Sequence, residues 1–304
     1  MASENRNQPP PSGGSEAAER LPAFPGPNKR KTRPRLVAVL VVLALAGAVV
    51  WHASQRASTG RASGGRLVPP GPVAPLKKTI RIGTFNIHAG RGADGRLDLA
   101  RTAKSLAGLD LVGLNEVAGR WPWEASDQAE QLGRLTGQAW LFAPFERRWY
   151  CYEFGNGLLT SLPVMSWARF PESQWSDRPR NEVVALVEYG KRTTIFAIVV
   201  HAARRNAQQR NREIAAAVGH FLAFGPPAVL MGDLNAGPDH PVLAKLAKTP
   251  GVVDALAGTP GLPEKRIDWI LLRGLRAVRA GMVDQGASDH PLFWAEVELA
   301  PGVQ

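Results

Sequence analysis

The chain has 304 residues, 44% of them apolar, which suits one large or two small globular domains. Its formal net charge of +11 would favour nucleic-acid binding if it were spread over the fold, but most of it lies near the N-terminus. Residues 81–304 carry 25 basic and 23 acidic side chains, which weakens the case for a nucleic-acid-binding surface, and the single cysteine, Cys151, excludes an intrachain disulfide.

The first segment of the chain is residues 1–35. It is rich in Pro, Gly, Ser and charged residues and has almost nothing to bury, so we predict a disordered basic tail. Residues 36–53, LVAVLVVLALAGAVVWHA, contain no charge and follow a cluster of five basic residues between Lys29 and Arg35. Since roughly 20 apolar residues span a bilayer, this run predicts a transmembrane signal-anchor helix in contact with membrane lipid.

Two other interpretations of residues 36–53 are a cleaved signal peptide and a buried core helix. The apolar run is not followed by a clear small-x-small cleavage site, and the polar stretches on both sides leave no core for it to enter. Basic residues ahead of the helix favour a cytoplasmic N-terminus. We therefore predict a single-pass protein of the cell membrane with an extracytoplasmic domain. Residues 54–76, rich in Ser, Gly and Pro, are expected to form a flexible stalk.

From residue 77 to residue 304 the pattern becomes regular and predicts one domain. Strands are expected at residues 79–87, 109–116, 158–161, 182–189, 193–201, 228–234, 266–272 and 292–299. Helices are expected near residues 97–106, 126–135, 206–222 and 241–247. Several strands follow one another without an intervening helix, which excludes a purely parallel sheet. The expected fold class is α/β, with two packed mixed β-sheets flanked by helices in a four-layer sandwich.

The apolar strands of this domain end in polar residues that are able to bind metals or transfer protons. These residues are Asn86, Glu116, His201, Asp233, Asn235, Asp268, Asp289 and His290. Each one alone has an ordinary explanation, because Asn and Asp often end strands and cap helices. Together, however, several carboxylates at one end of a sandwich would repel one another unless a cation lay among them. Oxygen ligands suit Mg²⁺ or Mn²⁺ better than zinc.

The ordered motifs FNIH, LNE, GNGLL, VVH, GDLN, RIDWIL and SDH resemble those of the endonuclease/exonuclease/phosphatase superfamily, which has the deoxyribonuclease I-like fold. The resemblance covers roughly residues 79–299. Two features depart from the abasic-site nuclease branch, which has an acidic metal ligand where His88 stands and a Tyr-x-x-Asn pattern where this chain reads VVHAA. The chain looks more similar to the secreted nuclease, sphingomyelinase-like and phosphatase branches.

The resemblance implies a divalent-metal-dependent phosphoric ester hydrolase with Mg²⁺ or Mn²⁺ as its cofactor. Carried over to this sequence, it makes Glu116 the principal metal ligand, Asn86 a ligand to the metal or the phosphate, and Asp289 a second carboxylate of the metal site.

The resemblance also implies a catalytic role for five further residues. Asp233 and Asn235 would orient the attacking water and the scissile phosphate. His201 and His290 would donate hydrogen bonds to phosphoryl oxygens and transfer protons, with Asp268 fixing the imidazole of His290.

Weaker signals predict contacts with the substrate. Glu153 and Asn156 lie at the GNG motif, although Asn-Gly is also a strong hairpin-turn signal. Arg210 follows the VVH motif and is a candidate to bind a second phosphate, with a solvated helix face as the alternative. The basic-aromatic segment at residues 148–150 is a candidate for holding a base, a sugar or a lipid head group.

The leading hypothesis is a membrane-tethered phosphodiesterase of the nuclease type. Alternatives with the same fold are a phospholipid-type phosphodiesterase and a phosphomonoesterase, because substrate choice in such a fold depends on loops. The alternative from another class is a non-catalytic, membrane-tethered binding module. The expected partners are a phosphoester substrate and membrane lipid, and no obligate protein partner is indicated.

Overall fold

The computed structural model describes residues 34–54, 56–57, 63–69, 78–120, 124–148, 152–171, 179–189 and 193–302. Contacts between residues divide the chain into two units, Met1–Ala46 and Gly47–Gln304. Residues 1–33 of the predicted tail and most of the predicted stalk lie outside the described residues. Those two predictions therefore stay predictions.

Five α-helices and fourteen strands are described. The helices are α1 Pro34–Ser54, α2 Leu99–Ser105, α3 Gln128–Thr136, α4 Ala207–Ala223 and α5 Pro241–Leu246, and a 3₁₀ turn spans His88–Gly90. The strands are β1 Arg56–Ala57, β2 Ser63–Arg66, β3 Ile80–Asn86, β4 Leu111–Ala118, β5 Ala139–Arg148, β6 Tyr152–Thr160, β7 Val164–Pro171, β8 Asn181–Glu188, β9 Thr194–His201, β10 Ala228–Asp233, β11 Val252–Asp254, β12 Asp268–Arg273, β13 Leu275–Val283 and β14 Leu292–Leu299.

Helix α1 is long and apolar enough from Pro34 to Trp51 to cross a membrane. A signal sequence meets the same criterion of length and composition. The structure therefore contains the predicted helix, and its role as an anchor stays a prediction.

The strands of the second unit form two mixed sheets. Sheet 1 has eight strands in the order β1-β5-β6-β4-β3-β14-β13, with β2 also paired to β5. Sheet 2 has six strands in the order β11-β12-β10-β9-β8-β7. Each sheet contains one parallel pair, β3–β4 in sheet 1 and β9–β10 in sheet 2, and α2 or α4 connects the strands of the pair.

Three apolar clusters separate these layers. The largest contains Ile82, Leu158, Val199 and Met231 and fills the space between the two sheets. A second cluster lies between sheet 2 and helices α4 and α5. The third covers the other face of sheet 1 with helices α2 and α3. This is the predicted four-layer sandwich of the deoxyribonuclease I-like fold, and that prediction is confirmed.

The four predicted helices of this unit are also confirmed, and each of their ends lies within two residues of the predicted position. Side chains at their N-termini explain where three of them begin. Asp98, Asp127 and Asn206 each accept a hydrogen bond from the backbone N–H three residues further on, at 2.9, 2.8 and 3.0 Å.

The strand prediction missed several strands that the structure shows. Strands β5, β7, β11 and β13 were not predicted, and β6 begins six residues before the expected segment at 158–161. Strands β1 and β2 lie within the segment expected to be a stalk and pair with β5.

Candidate active site

The two parallel strand pairs end at the same edge of the sandwich. In sheet 1 Asn86 is the register partner of Asn115, and in sheet 2 Asp233 is the register partner of His201. The Nδ2 atom of Asn86 donates a hydrogen bond to Asp233 Oδ2 across 3.2 Å, which joins the two sheets directly. The carboxyl ends of parallel strands are a common place for ligand sites in α/β folds.

Glu116 reaches this edge because its strand is irregular. The register of β4 against β6 shifts between Leu114 and Val117, which is a β-bulge, and Glu116 has a φ of 56° in the left-handed region. Bulges next to active sites redirect side chains, and a positive φ is unfavourable for a residue with a Cβ. The Oε1 atom of Glu116 lies 3.3 Å from Asn86 Nδ2 and 3.9 Å from His201 Nε2.

The GDLN turn holds the carboxylate of Asp233 in place. Gly232 has a φ of 142°, and a Cβ there would lie 1.8 Å from the carbonyl oxygen of Val200, so only glycine fits. The backbone N–H of Asn235 donates to Asp233 Oδ1 at 2.8 Å, and the Asn235 side chain donates to the carbonyl of Ala202 at 2.9 Å. The other oxygen of Asp233, Oδ2, faces the site.

His290 lies between two buried aspartates. Its Nδ1 is 2.9 Å from Asp268 Oδ2, and its Nε2 is 3.8 Å from Asp233 Oδ2. Burial and the charge of Asp268 raise the pKa of Asp233 to about 7. Burial lowers the pKa of His290, but the hydrogen bond and charge of Asp268 outweigh burial and raise it to about 9. The ring of His290 is therefore a cation at neutral pH.

His201, unlike His290, is uncharged. Burial, together with the nearby charges of Arg180, His290 and Arg148, lowers the pKa of His201 well below its usual value, so the ring is neutral. Its Nε2 lies 3.6 Å from Asp233 Oδ2, and its Nδ1 is buried without a partner among the described residues. Because two carboxylates face Nε2, we assign the proton of the neutral ring to that nitrogen.

Asp289 lies on the solvent side of this group. Its carboxylate is about half exposed, at 52%, and lies 3.5 Å from His88 Nδ1. The hydroxyl of Ser288 contacts both Asp289 Oδ1, at 3.2 Å, and the carbonyl oxygen of Asn86, at 2.7 Å. Asp289 is thus held beside the end of β3.

The three residues predicted to contact substrate have other partners in the structure. Glu153 forms an ion pair with Arg147 Nε at 2.9 Å. Asn156 is fully buried and bonded to other amides, which places it inside the sandwich instead of on a substrate-facing surface. Arg210 donates to the carbonyl oxygen of Arg204 at 2.9 Å and so binds the loop that follows His201. Residues 149 and 150 of the predicted recognition segment lie outside the described residues.

Arg180 is a candidate site residue that sequence reasoning missed. Its side chain is 8% exposed, yet its Nε and Nη1 have no partner among the described residues. The guanidinium lies 4.7 Å from the ring centre of Phe145, whose ring centre is 6.3 Å from that of His201. Burial lowers its pKa from a very high starting value, and Arg stays charged in proteins. The sequence indicated this residue only by an arginine placed directly before an apolar strand.

The donor set of the site fits a hard divalent cation. The site contains four carboxylates, those of Glu116, Asp233, Asp268 and Asp289. They would repel an anionic substrate, because the single positive charge of His290 is too small to neutralise them. Ligand atoms of Asp233, Asp268 and His290 all lie within 4.8 Å of one another. Since His290 is already bonded to Asp268, the carboxylates of Glu116 and Asp289 are the better candidates to hold such an ion, whereas Asn86 turns Nδ2 toward Glu116 and accepts the His88 backbone N–H with Oδ1.

Comparisons with known proteins address the family and the fold of the chain. The sequence profile described as the Endonuclease/Exonuclease/phosphatase family matches residues 83–290. A comparison with curated proteins gives no match.

Solved structures with a similar fold include an endonuclease/exonuclease/phosphatase from Beutenbergia cavernae DSM 12333, at 20% identity and a TM-score of 0.61, covering 74% of this chain and 72% of that one. A mannosyl-6-phosphatase from Bacteroides thetaiotaomicron VPI-5482 has 14% identity and a TM-score of 0.55, with 72% and 99% of the two chains covered. A humanized TDP2 from D. rerio has 18% identity and a TM-score of 0.55, with 73% and 100% covered. At these identities the similarity to the structures shows the fold alone.

Proposed function

The chain belongs to the endonuclease/exonuclease/phosphatase family, and from that premise we propose that it is a divalent-cation-dependent phosphodiesterase of the nuclease type. One observation carries the proposal. The buried oxygen Asp233 Oδ2 lies 3.2 Å from Asn86 Nδ2, 3.6 Å from His201 Nε2 and 3.8 Å from His290 Nε2. Neither histidine is close enough to hydrogen bond to this oxygen, so we infer that both Nε2–H groups stay available to a substrate at the ends of the strands.

The proposed chemistry divides among these residues according to their charge. Asp233, whose pKa burial raises to about 7, is poised to accept a proton from water near neutral pH. His290 is a cation and donates from Nε2 to a phosphoryl oxygen, while Asp268 holds Nδ1. Neutral His201 donates its Nε2–H to the same oxygens. A divalent cation held by Glu116 and Asp289 would neutralise charge on the phosphoryl group and make the attacking water more acidic.

Arg180 adds a second positive charge to this proposal. Its Nε and Nη1 are buried without partners among the described residues, and its positive charge contributes to the lowered pKa of His201. Guanidinium groups bind phosphate oxygens in pairs, so we assign Arg180 to the non-bridging oxygens of the substrate. The site then opposes the anion with an arginine, a histidinium and the cation.

We also propose that α1 anchors the domain in the cell membrane, with the catalytic residues outside the cytoplasm. The support is the length of the helix and the basic cluster that precedes it in the sequence. The non-catalytic alternative is disfavoured because every polar strand-end position that the chemistry needs is occupied.

The test is hydrolysis by the full chain in detergent micelles, with Mg²⁺ or Mn²⁺ added after chelation. The substrate panel contains plasmid DNA, RNA, sphingomyelin, phosphatidylinositol phosphates, bis(p-nitrophenyl) phosphate and p-nitrophenyl phosphate. We expect cation-dependent turnover of diesters, with polynucleotides preferred. Turnover of one lipid with no cleavage of polynucleotides would assign the chain to the phospholipid-type alternative, and turnover of monoesters alone would make it a phosphatase.

The matched pair of variants for this assay is His290→Gln and His220→Gln. His220 is bonded to buried Glu182 at 2.8 Å, just as His290 is bonded to Asp268 at 2.9 Å, but His220 lies on α4, which covers the outer face of sheet 2. We expect His290→Gln to lower kcat by about 10²-fold or more and His220→Gln to leave it unchanged. Equal rates for both variants and the wild type would refute the catalytic assignment.

A further inference from the structure

The GNG motif at residues 155–157 lies in β6, and the proposed chemistry does not account for it. A Cβ at Gly155 would lie 2.2 Å from the carbonyl oxygen of Ala143, so a side chain is excluded there. The asparagine between the two glycines is 0% exposed, and both ends of its amide form hydrogen bonds. Buried polar groups in cores are costly unless they are fully satisfied, so their arrangement carries information.

Asn115, directly before Glu116, is the residue that connects the motif to the site. Its Oδ1 accepts a hydrogen bond from the backbone N–H of Asp233 at 2.8 Å. Its Nδ2 donates to the carbonyl oxygen of Val200 at 3.0 Å and to Asn156 Oδ1 at 2.8 Å. One side chain of sheet 1 therefore holds the ends of both β9 and β10 in sheet 2, next to His201 and Asp233.

The chain of amides continues on the other side of Asn156. Its Nδ2 donates to Asn181 Oδ1 at 3.1 Å and to the Asn181 carbonyl at 2.8 Å. Asn181, the first residue of β8 in sheet 2, donates from its own Nδ2 to the carbonyls of Ala143 and Pro144 in β5, at 3.2 and 3.1 Å. Hydrogen bonds thus cross between the sheets at three places, from Asp233 to Asn115, from Asn156 to Asn181, and from Asn181 to Ala143.

All donors in this series run in one direction, so no amide can be turned over without placing two N–H groups or two oxygens against each other. Hydrogen bonds in such chains polarise and strengthen one another, and a fully satisfied buried network specifies a single arrangement. The apolar side chains between the sheets provide no such directional constraint.

We infer that Asn115, Asn156 and Asn181 form a buried amide relay whose role is to position the sheet 1 residues Asn86 and Glu116 against the sheet 2 residues Asp233 and His201. They are positioning residues, since each of the three side chains is at most 1% exposed and hydrogen bonds within the protein. The inference rests on the proposed function for its kinetic readout only. The arrangement also fixes the residue next to Asn181, which is Arg180.

The test compares two variants of the full chain in detergent micelles. Asn156→Leu removes the middle of the relay and keeps the volume. Thr160→Val is the matched control, because Thr160 is also fully buried on β6 and its hydroxyl bonds to Leu162 just beyond the last residue of the strand. We expect Asn156→Leu to lower kcat by about 10²-fold with KM changed by less than about 3-fold, since small displacements of reacting groups cost about that much. Thr160→Val should keep its kcat.

Two measurements are independent of turnover. In Asn156→Leu the backbone amide of Asp233 should exchange with solvent faster, and Mn²⁺ alone, measured by calorimetry, should bind more weakly. Equal losses of kcat in the two variants, or an unchanged Asp233 amide in Asn156→Leu, would overturn the inference. If Asn156→Leu does not fold, Asn156→Ala, which removes the same amide without adding a larger side chain, takes its place. A wild-type chain without phosphoesterase activity would reject the proposed function, and the Asp233 amide would still decide the inference.

Discussion

Asp233 and Asp268 are cross-strand partners in β10 and β12, and both side chains are 2% exposed. Two carboxylates so placed cannot both ionise freely in a medium of low dielectric constant. The structure resolves the conflict by raising the pKa of Asp233 to about 7 and by hydrogen bonding Asp268 to the ring of His290. The pair therefore gives two roles to chemically identical side chains, since Asp233 is left to accept a proton and Asp268 holds the ring of His290.

The first prediction concerns Asp268→Asn, which keeps the shape of the side chain and removes its charge. Without that charge the pKa of His290 should fall from about 9 toward its ordinary value of 6.5, so the ring would be neutral at pH 8. We expect kcat at pH 8 to fall by about 10²-fold or more. NMR titration of the His290 ring protons in the presence of chelator measures the pKa directly. Glu182→Gln, which removes a buried carboxylate bonded to a different histidine, His220, is the control, and an unchanged His290 titration in Asp268→Asn would contradict the prediction.

The second prediction is that the free energy of unfolding falls as the pH rises from 6.5 to 9 in the presence of chelator. The pKa of His290 is about 9 when folded and 6.5 when unfolded, so its contribution is complete below pH 6.5 and is lost through pH 9. At about 1.4 kcal/mol per pKa unit, a rise of the pKa by about 2.5 corresponds to a loss of at most about 3.5 kcal/mol. The pKa of Asp233 is raised from 3.8 to about 7, so by the same rule its contribution to the free energy of unfolding is lost as the pH rises from 3.8 to 7.

Urea unfolding at a series of pH values checks this slope. His290→Gln should make the slope shallower toward pH 9, while the pKa of Asp233, which the charge of His290 lowers, should rise. A free energy of unfolding that rises between pH 6.5 and 9 in the wild type would show that the histidine is not charged in the folded state.

The third prediction tests the turn that carries Asp233. Gly232→Ala places a Cβ 1.8 Å from a carbonyl oxygen at a φ of 142°, and we expect it to destabilise the fold by at least about 3 kcal/mol. Gly219→Ala is the opposite case, because Gly219 lies within α4 and a Cβ there meets nothing within 4 Å. It should stabilise by about 0.5–1 kcal/mol, and thermal unfolding compares the two. Similar stability for both variants would contradict the geometry of the GDLN turn.

The sequence allowed most of the strands that are buried on both faces to be predicted. Strand β5 escaped because Pro144 stands in its middle, which argues against a strand, and the structure accommodates the proline at a bulge between Pro144 and Glu146. Strands β7 and β13 lie at the edges of their sheets with exposed faces, and Met165 and Val278 are 60% and 48% exposed. Such strands bury little apolar surface, so their hydrophobic alternation is weak.

Some residues of the candidate site could be predicted from the sequence and others could not. Strand-end residues such as Asn86 and Asp233 were predictable because a polar residue at the end of an apolar run is conspicuous. Asn115, Asn181 and Arg180 were not, since their roles depend on partners in the other sheet that are far away in the chain. Asn156 was noticed for its motif, but only the tertiary structure shows that it is buried.

The fourth prediction concerns Glu116→Gln, which removes one carboxylate charge at the bulge of β4. Because Glu116 Oε1 lies beside Asn86 and His201, we expect the affinity for Mn²⁺ alone to fall by about 10²-fold, with folding retained. Calorimetric titration of the chelator-treated chain measures the affinity. Glu153→Gln, which removes a carboxylate paired with Arg147, should bind Mn²⁺ as the wild type does. Equal affinities for all three proteins would place the cation elsewhere.

The last prediction concerns the anchoring role proposed for α1. Leu43 lies near the middle of the apolar stretch and Trp51 at its end. An arginine at the centre of a spanning helix costs about 2.5–3.5 kcal/mol, whereas an arginine near the interface costs much less because its side chain reaches the head groups. We therefore expect Leu43→Arg to shift the protein out of alkali-extracted membranes and Trp51→Arg to leave it there. Terminal sequencing of the wild type distinguishes the alternative, since a soluble protein that begins beyond residue 51 would show that α1 is a cleaved signal.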